Sequence, residues 1–284
     1  MEFYQEVERA LTKDYRKKIW RPFLSALKDY KLVNDGDRIA VCISGGKDSM
    51  LLAKCMQELK RHSPTNFELQ FLVMDPGYTP ANRQKIVDNA KLLNIPISIF
   101  ETGIFESVVE MGGSPCYMCA KMRRGYLYRE AQRRGCNKIA LGHHYDDVIE
   151  TILMSMIYGA QMQIMMPKLH SDNVPGMQLI RPLYKVREEE IIRWRDDNHL
   201  EFLRCACCFT EERTLSDDGS SNSKRLEMKA LIQHLKRLNP IADRNIFHSV
   251  HNVSLDTMIR WKYEGEEHSF LDEYNDRPWE EDGE

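Results

Sequence analysis

The chain has 284 residues, 42% of them hydrophobic and 29% charged, with a formal net charge of −3. That composition suits a globular chain with a sizeable core and excludes a disordered or collagen-like protein. No run approaches the roughly 20 apolar residues of a bilayer helix, and residues 1–13 mix Glu, Arg and Lys without an apolar secretory core, so a cytoplasmic protein without a membrane partner is expected.

An amphipathic stretch over 4–30 places Trp20, Phe23, Leu24 and Leu27 at helical spacing, so residues 1–34 read as an N-terminal helical segment. Asn34-Asp35-Gly36-Asp37 is a turn. A short apolar run at 38–43 reads as a buried strand, 44–49 as a polar loop and 50–59 as a helix. The alternation continues with a strand at 69–74, a helix at 80–93, a strand at 97–100 and a basic helix at 120–134. A strand at 138–141, an apolar-faced helix at 146–158, a strand at 178–181 and a charged helix at 187–198 follow. This predicts the α/β class: an open, mostly parallel sheet with helices on both faces, binding ligands beyond the carboxyl ends of its strands. Residues 35–255 are read as that domain, with 216–223 as a surface loop. From Glu264 to Glu284 there are ten acidic residues and one arginine, which leaves +6 over residues 1–263. Residues 256–284 therefore read as an acidic, solvated tail, and the mildly basic body permits an anionic partner.

Ser44-Gly45-Gly46-Lys47-Asp48-Ser49 follows the first strand and opens a helix. Glycines let the backbone approach a ligand, a helix N-terminus presents N–H groups to an anion, and the serines and Lys47 add donors and charge. The loop suits a phosphate. It differs from the Gly-x-x-x-x-Gly-Lys-Ser/Thr loop, because position 41 is Val and Asp48 follows Lys47. A second polar loop, Gly142-His143-His144-Tyr145-Asp146-Asp147, follows the fourth strand on the same sheet edge. Its carboxylates suit Mg²⁺ or acid–base work and its histidines proton shuttling; the plainer reading has Asp146 as a helix N-cap.

The eight cysteines stand at 42, 55, 116, 119, 136, 205, 207 and 208, five of them in two clusters. Clustered thiols in a reducing compartment point to metal or redox chemistry rather than disulfides. Cys116 and Cys119 open a helix bearing Lys121, Arg123, Arg124 and Arg129, whose N-terminus and cations favour thiolates. That spacing serves a redox dithiol, a zinc site or an iron–sulfur site, and Cys116, Cys119, Cys205 and Cys208 together allow tetrahedral zinc. Cys42 and Cys55 read as core thiols, and Met154, Met156, Met162, Met165 and Met166 as core and loop packing. Between Lys121 and Lys138 cations alternate with Tyr126 and Tyr128, a pattern that suits RNA as well as a solvated helix face.

The 44–49 hexapeptide with its strand and helix resembles the PP-loop of the adenine-nucleotide alpha-hydrolase-like ATP pyrophosphatases. Pro115-Cys116-x-x-Cys119 with the basic run after it, the late cysteine cluster and Gly142-His143-His144-x-Asp146-Asp147 resemble the tRNA 2-thiocytidine synthetase branch of that group. The resemblance spans about 32–253 and takes in Arg181-Pro182-Leu183 and Asn245-Ile246-Phe247-His248. It implies ATP bound with Mg²⁺ by Ser44, Gly45, Gly46, Lys47, Asp48 and Ser49, with Asp75, Gly142 and His143 beside the nucleotide. It implies catalytic roles for Asp146, Asp147 and Arg123. It also implies a [4Fe–4S] cluster on Cys116, Cys119 and Cys205, with Cys208 the alternative third ligand because Cys207 is an additional thiol in the late cluster. The implied reaction adenylates cytidine O2 at tRNA position 32 and replaces it with sulfur from a cysteine desulfurase or free sulfide; a homodimer is compatible with it. The alternatives are another PP-loop thiolase or ligase acting on a different base, RNA or small molecule, and a non-catalytic metal-containing RNA-binding module that keeps ATP as a structural ligand.

Overall fold

The computed structural model describes residues 2–103, 115–203 and 224–274, with the backbone alone over 115–121 and at 273. The chain divides into two compact units, Met1–Lys229 and Ala230–Glu284. The N-terminal segment belongs to the larger unit because its apolar stripe is core: Val7, Leu11, Ile19 and Phe23 are fully buried. The expected single helix is α1 (Phe3–Thr12), a π turn (Arg16–Trp20) and α2 (Arg21–Asp29). Pro22 supplies no N–H to the helical ladder, which explains why a new helix starts there.

The sheet of the larger unit contains β1 (Arg38–Ile43), β2 (Glu68–Asp75), β3 (Ile97–Glu101), β4 (Lys138–Ala140), β5 (Lys168–His170) and β6 (Gln178–Ile180). Its spatial order is β3-β2-β1-β4-β6-β5, and every neighbouring pair is parallel except β5 with β6. Helices α3 (Lys47–His62) and α4 (Pro80–Leu92) carry the chain outward from β1 to β3; α5 (Pro115–Arg133) returns it to β4 on the other side of β1. After β4 come α6 (Tyr145–Gly159) and α7 (Glu188–Asp197). The strand order therefore reverses between β1 and β4, and the loops leaving those two strands diverge to open a crevice at their carboxyl ends.

Both faces of β1 are covered, as its unbroken apolar run requires. Ile39, Val41 and Ile43 join a core with α1, α2, α3 and Trp194 of α7, while Ala40 and Cys42 face Tyr128 and Ala131 of α5. The antiparallel β5 is too short to show a period in sequence. Met156, Met162 and Met166 are about half exposed, so packing accounts for the methionines of this stretch only in part.

Helix α8 (Lys224–Leu238) begins in the larger unit, which ends at Lys229, and in the second unit it is followed by α9 (Ala242–Ser249). The expected tail is partly folded: β7 (Arg260–Tyr263) and β8 (Glu266–Ser269) form an antiparallel hairpin, and α10 (Leu271–Tyr274) follows. Glu264 and Gly265 both have positive φ, the two-residue turn that matches strand twist. Trp261 stacks on His268 across the pair, an alternation that the charge count obscures.

Candidate active site

The turn between β1 and α3 is tight, and its glycine is obligatory. Gly45 has φ +86°, and a Cβ there would lie 2.7 Å from Ile86 Cγ1. Helix α3 begins at Lys47, so Lys47, Asp48 and Ser49 occupy its first turn rather than a loop. First-turn N–H groups have no intrahelical acceptor, so this turn offers the donors that an anion needs. Buried Ser49 ties it together: its Oγ accepts from Ser44 N at 3.2 Å and donates to the Gly46 carbonyl at 2.9 Å. Ser44 Oγ lies 3.3 Å from the same hydroxyl.

The loop after β4 lies directly against that turn. A Cβ on Gly142 would meet the Asp48 carbonyl carbon at 3.0 Å and Ser49 N at 3.1 Å, so any other residue would push the turn away by a few tenths of an ångström. His144 caps α6: its Nδ1 accepts from Asp147 N, and Asp147 Oδ2 accepts from His144 N at 2.9 Å. The cap is thus His144 and not Asp146. Asp146 instead accepts from Glu188 N at 2.7 Å and pairs with Arg187 at 3.1 Å, securing the start of α7. Asp147 Oδ1 accepts from Arg225 of α8 at 2.8 Å. Burial pushes the Asp147 carboxyl up, but His144, His143 and Arg225 outweigh it and hold the group below the ordinary range.

A cavity of about 410 Å³ occupies the crevice, and Ser44, Asp48, Ser49, Gly142, His143 and Asp147 line it. From α5, Arg123, Arg124 and Leu127 close the other side. Burial, reinforced by the Arg181 cation, lowers the His143 imidazole to about 4, so it is neutral near pH 7. Its Nδ1 accepts from Arg181 Nε at 3.4 Å, which leaves the proton on Nε2. Arg123 Nη2 stands 3.5 Å from the Tyr78 hydroxyl.

Two expected residues point elsewhere. Asp75 Oδ1 accepts from Gly77 N at 2.9 Å and Tyr78 N at 2.7 Å, so its carboxylate shapes its own turn. Lys47 turns to the opposite side of the loop, toward a second cavity of about 750 Å³, and its Nζ lies 3.2 Å from Glu188 Oε1. Asp48 Oδ1 is buried without a hydrogen bond, within charge reach of Lys47 at 3.1 Å and His144 at 3.8 Å. Among the described residues no group of three His, Cys, Asp or Glu forms a metal site. Cys116 and Cys119 are described by backbone only, in α5 ahead of Arg123; Cys205 and Cys208, with Cys207, lie outside the described residues. Cys42 is buried and its thiol is pushed up to about 12 by that burial, a core thiol as expected.

Arg124, Met74 and Leu127 also line the cavity, Arg225 bears on it through its ion pair with Asp147, and Glu188 lines the second cavity, where it pairs with Lys47 and Lys229. Leu127 is one helical turn beyond Arg123, a spacing that carries a signal. Glu188 was hidden in a helix that reads simply as charged.

A family model described as the PP-loop domain matches residues 14–206. A tRNA-cytidine(32) 2-sulfurtransferase of Geobacter metallireducens is 35% identical over 256 residues, covering 89% of this chain and 93% of that protein. The Coxiella burnetii protein of the same name is 35% identical over 247 residues, covering 85% and 91%. Among solved structures, the U34-tRNA thiolase NcsA from Methanococcus maripaludis with its [4Fe-4S] cluster shares the fold: the TM-score is 0.63 at 20% identity, over 86% of this chain and 81% of that one. Among the described residues no helix is long and apolar enough to cross a membrane. Identity at this level over most of both chains is a mark of common descent, and the chain belongs to the PP-loop family, in its tRNA-cytidine(32) 2-sulfurtransferase group.

Proposed function

We propose that the chain is a cytoplasmic, ATP-dependent tRNA thiolase that converts cytidine 32 to 2-thiocytidine. The observation that carries this reading is the 35% identity to tRNA-cytidine(32) 2-sulfurtransferases across nearly the whole of both chains. ATP lies in the crevice with its β- and γ-phosphates at the first turn of α3 and its α-phosphorus toward the cavity. Cytidine O2 attacks that phosphorus; the new O–P bond forms as the α–β bridge breaks, and pyrophosphate leaves. Sulfur, at the oxidation level of hydrosulfide, then bonds to C2; the C–O bond breaks, AMP carries O2 away, and the sulfur's proton passes to solvent. The sulfur comes from a cysteine desulfurase or free sulfide.

Arg123 and Arg124 neutralise charge around the α-phosphate, and the Nε2–H of neutral His143 donates to an oxygen there. Asp146 and Asp147 act by position, fixing α7 and the His144 cap that hold the second loop against the first. Asp48 Oδ1, buried without a hydrogen bond, suits a Mg²⁺ shared with the phosphates. Cys116, Cys119 and Cys205, or Cys208 in third place, would hold the [4Fe–4S] cluster: soft thiolates suit it, and α5 also lines the cavity through Arg123 and Arg124. When bound, such a cluster would supply a soft site for the incoming sulfur.

The test is nucleoside analysis of tRNA from cells lacking the gene. 2-Thiocytidine disappears, returns with the wild-type gene and does not return with Lys47→Ala; 2-thiocytidine that persists in the deletion overturns the reading. In vitro, pyrophosphate forms from ATP only when tRNA is present, and release of AMP with continued turnover needs sulfide as well. Anaerobically purified protein carries iron and sulfide, which Cys116→Ser and Cys119→Ser abolish.

A further inference from the structure

Lys47 is already engaged. Its ammonium lies 3.2 Å from Glu188 Oε1 and 3.1 Å from Asp48 Oδ1, and the side chain is only 19% exposed. Glu188 is shared in turn: its other oxygen, Oε2, accepts from Lys229 of α8 at 2.8 Å. Burial pushes the Glu188 carboxyl up, but Lys229 and Lys47 outweigh it and hold the group ionised. Its backbone is pinned as well, since Glu188 N donates to Asp146 Oδ2 at 2.7 Å. A carboxylate fixed at its main chain thus stands between two lysines, one from the phosphate turn and one from the helix that follows the late cysteine segment.

We propose that Glu188 is a positioning residue that holds Lys47 and sets the affinity of the site for di- and triphosphate groups. The inference rests on the ATP reading above. Lys47 leaves Glu188 for the β- and γ-phosphates, and Lys229 keeps the Glu188 charge satisfied after the exchange. Without Lys229 the departure of Lys47 would strand a part-buried carboxylate, and stranding a charge is far more costly than trading partners. The cavity of about 750 Å³ that Lys47 and Glu188 both line gives the side chain room to move. A static ion pair would need one lysine; a carboxylate that must release one lysine on demand needs the second.

The experiment is calorimetric titration of the full-length protein with α,β-methylene ATP, inorganic pyrophosphate and AMP. Glu188→Gln binds the first two roughly tenfold more tightly, the worth of one charged hydrogen bond no longer broken, and AMP as wild type does. Lys229→Met weakens the same two ligands by a similar factor, and has no effect in the Glu188→Gln background. Unchanged or weaker pyrophosphate binding by Glu188→Gln overturns the inference, as does an equal shift for AMP, which would mark a general structural role. If wild type binds neither α,β-methylene ATP nor pyrophosphate, the ATP reading itself falls and this inference with it.

Discussion

Gly142→Ala separates packing from chemistry at the point where the two loops touch. The added Cβ meets the Asp48 carbonyl carbon at 3.0 Å, its oxygen at 3.1 Å and Ser49 N at 3.1 Å. All three are backbone atoms of the first turn of α3, so no flexible side chain can swing aside and the turn must move by a few tenths of an ångström. Overpacking of this kind costs about 1–3 kcal/mol. The displaced turn also misaims the N–H groups of the anion site, and loss of one charge-assisted bond weakens phosphate binding about tenfold. Gly125→Ala provides the contrast: its Cβ would have only Arg129 Nη2, at 3.9 Å, within reach. Alanine in that helix interior stabilises by roughly 0.5–1 kcal/mol. The assay is chemical denaturation of both variants, with pyrophosphate affinity measured alongside. A Gly142→Ala protein as stable as wild type, with wild-type pyrophosphate affinity, would refute the claim that the loops are in van der Waals contact.

Glu150 is 1% exposed, and burial raises its carboxyl to about 7 from 4.5. The folded state then keeps a proton that the unfolded state has released, so its contribution to stability falls as pH rises through that window. Glu150→Gln is neutral below about pH 4 and stabilises by about 2 kcal/mol at pH 8, once solvent relaxation trims the full shift; equal stability changes at the two pH values would contradict this. Arg181→Met lets the His143 imidazole climb part of the way from about 4 toward its ordinary 6.5, because burial remains when the cation goes. An NMR titration of that ring that shows no movement would remove Arg181 as a cause. Cys42 and Cys55, both buried with raised thiol pKa, resist iodoacetamide at pH 8 in the folded protein and react on unfolding; labelling of either at the rate of a free thiol would mean that the sheet opens.

The sheet was legible because each central strand is an apolar run bounded by polar turns, and β1 at residues 38–43 coincides with its expected span. Element starts were less so: Lys47, Asp48 and Ser49 look like loop residues by type, yet the serine's bonds to Ser44 N and the Gly46 carbonyl wind them into α3. Which residues share a crevice was readable for Ser44 and Gly142, since both stand just past strand ends, whereas Arg123 came from the family resemblance alone. Side-chain direction was not. Asp75, Asp146 and Lys47 each stand at the expected backbone position, but Gly77 and Tyr78, Glu188 N, and the Glu188 carboxylate capture them. Such capture depends on residues distant in sequence, as with Lys47 and Glu188, or on local turn geometry, as with Asp75, and residue type reveals neither.

The same captures decide the sign of the crevice. Asp75 is held by two backbone N–H groups, Asp146 by Glu188 N and Arg187, and Asp147 by His144 N and Arg225, while the charge of Asp48, which also lines the cavity, is met by Lys47 at 3.1 Å. His143 carries no charge at neutral pH because burial and Arg181 suppress it. On the other wall stand Arg123 and Arg124, and no carboxylate among the described residues pairs with either. Acids whose charge is met by protein donors contribute little field, whereas guanidinium groups facing a partly enclosed cavity contribute much, because low-dielectric walls focus it. A crevice built with several acidic side chains thus presents a net positive face. That is the condition for bringing a triphosphate and a polyphosphate backbone together, two anions that would otherwise repel each other. The carboxylates serve that end by holding the two loops and α7 in register, while the arginines of α5 face the cavity.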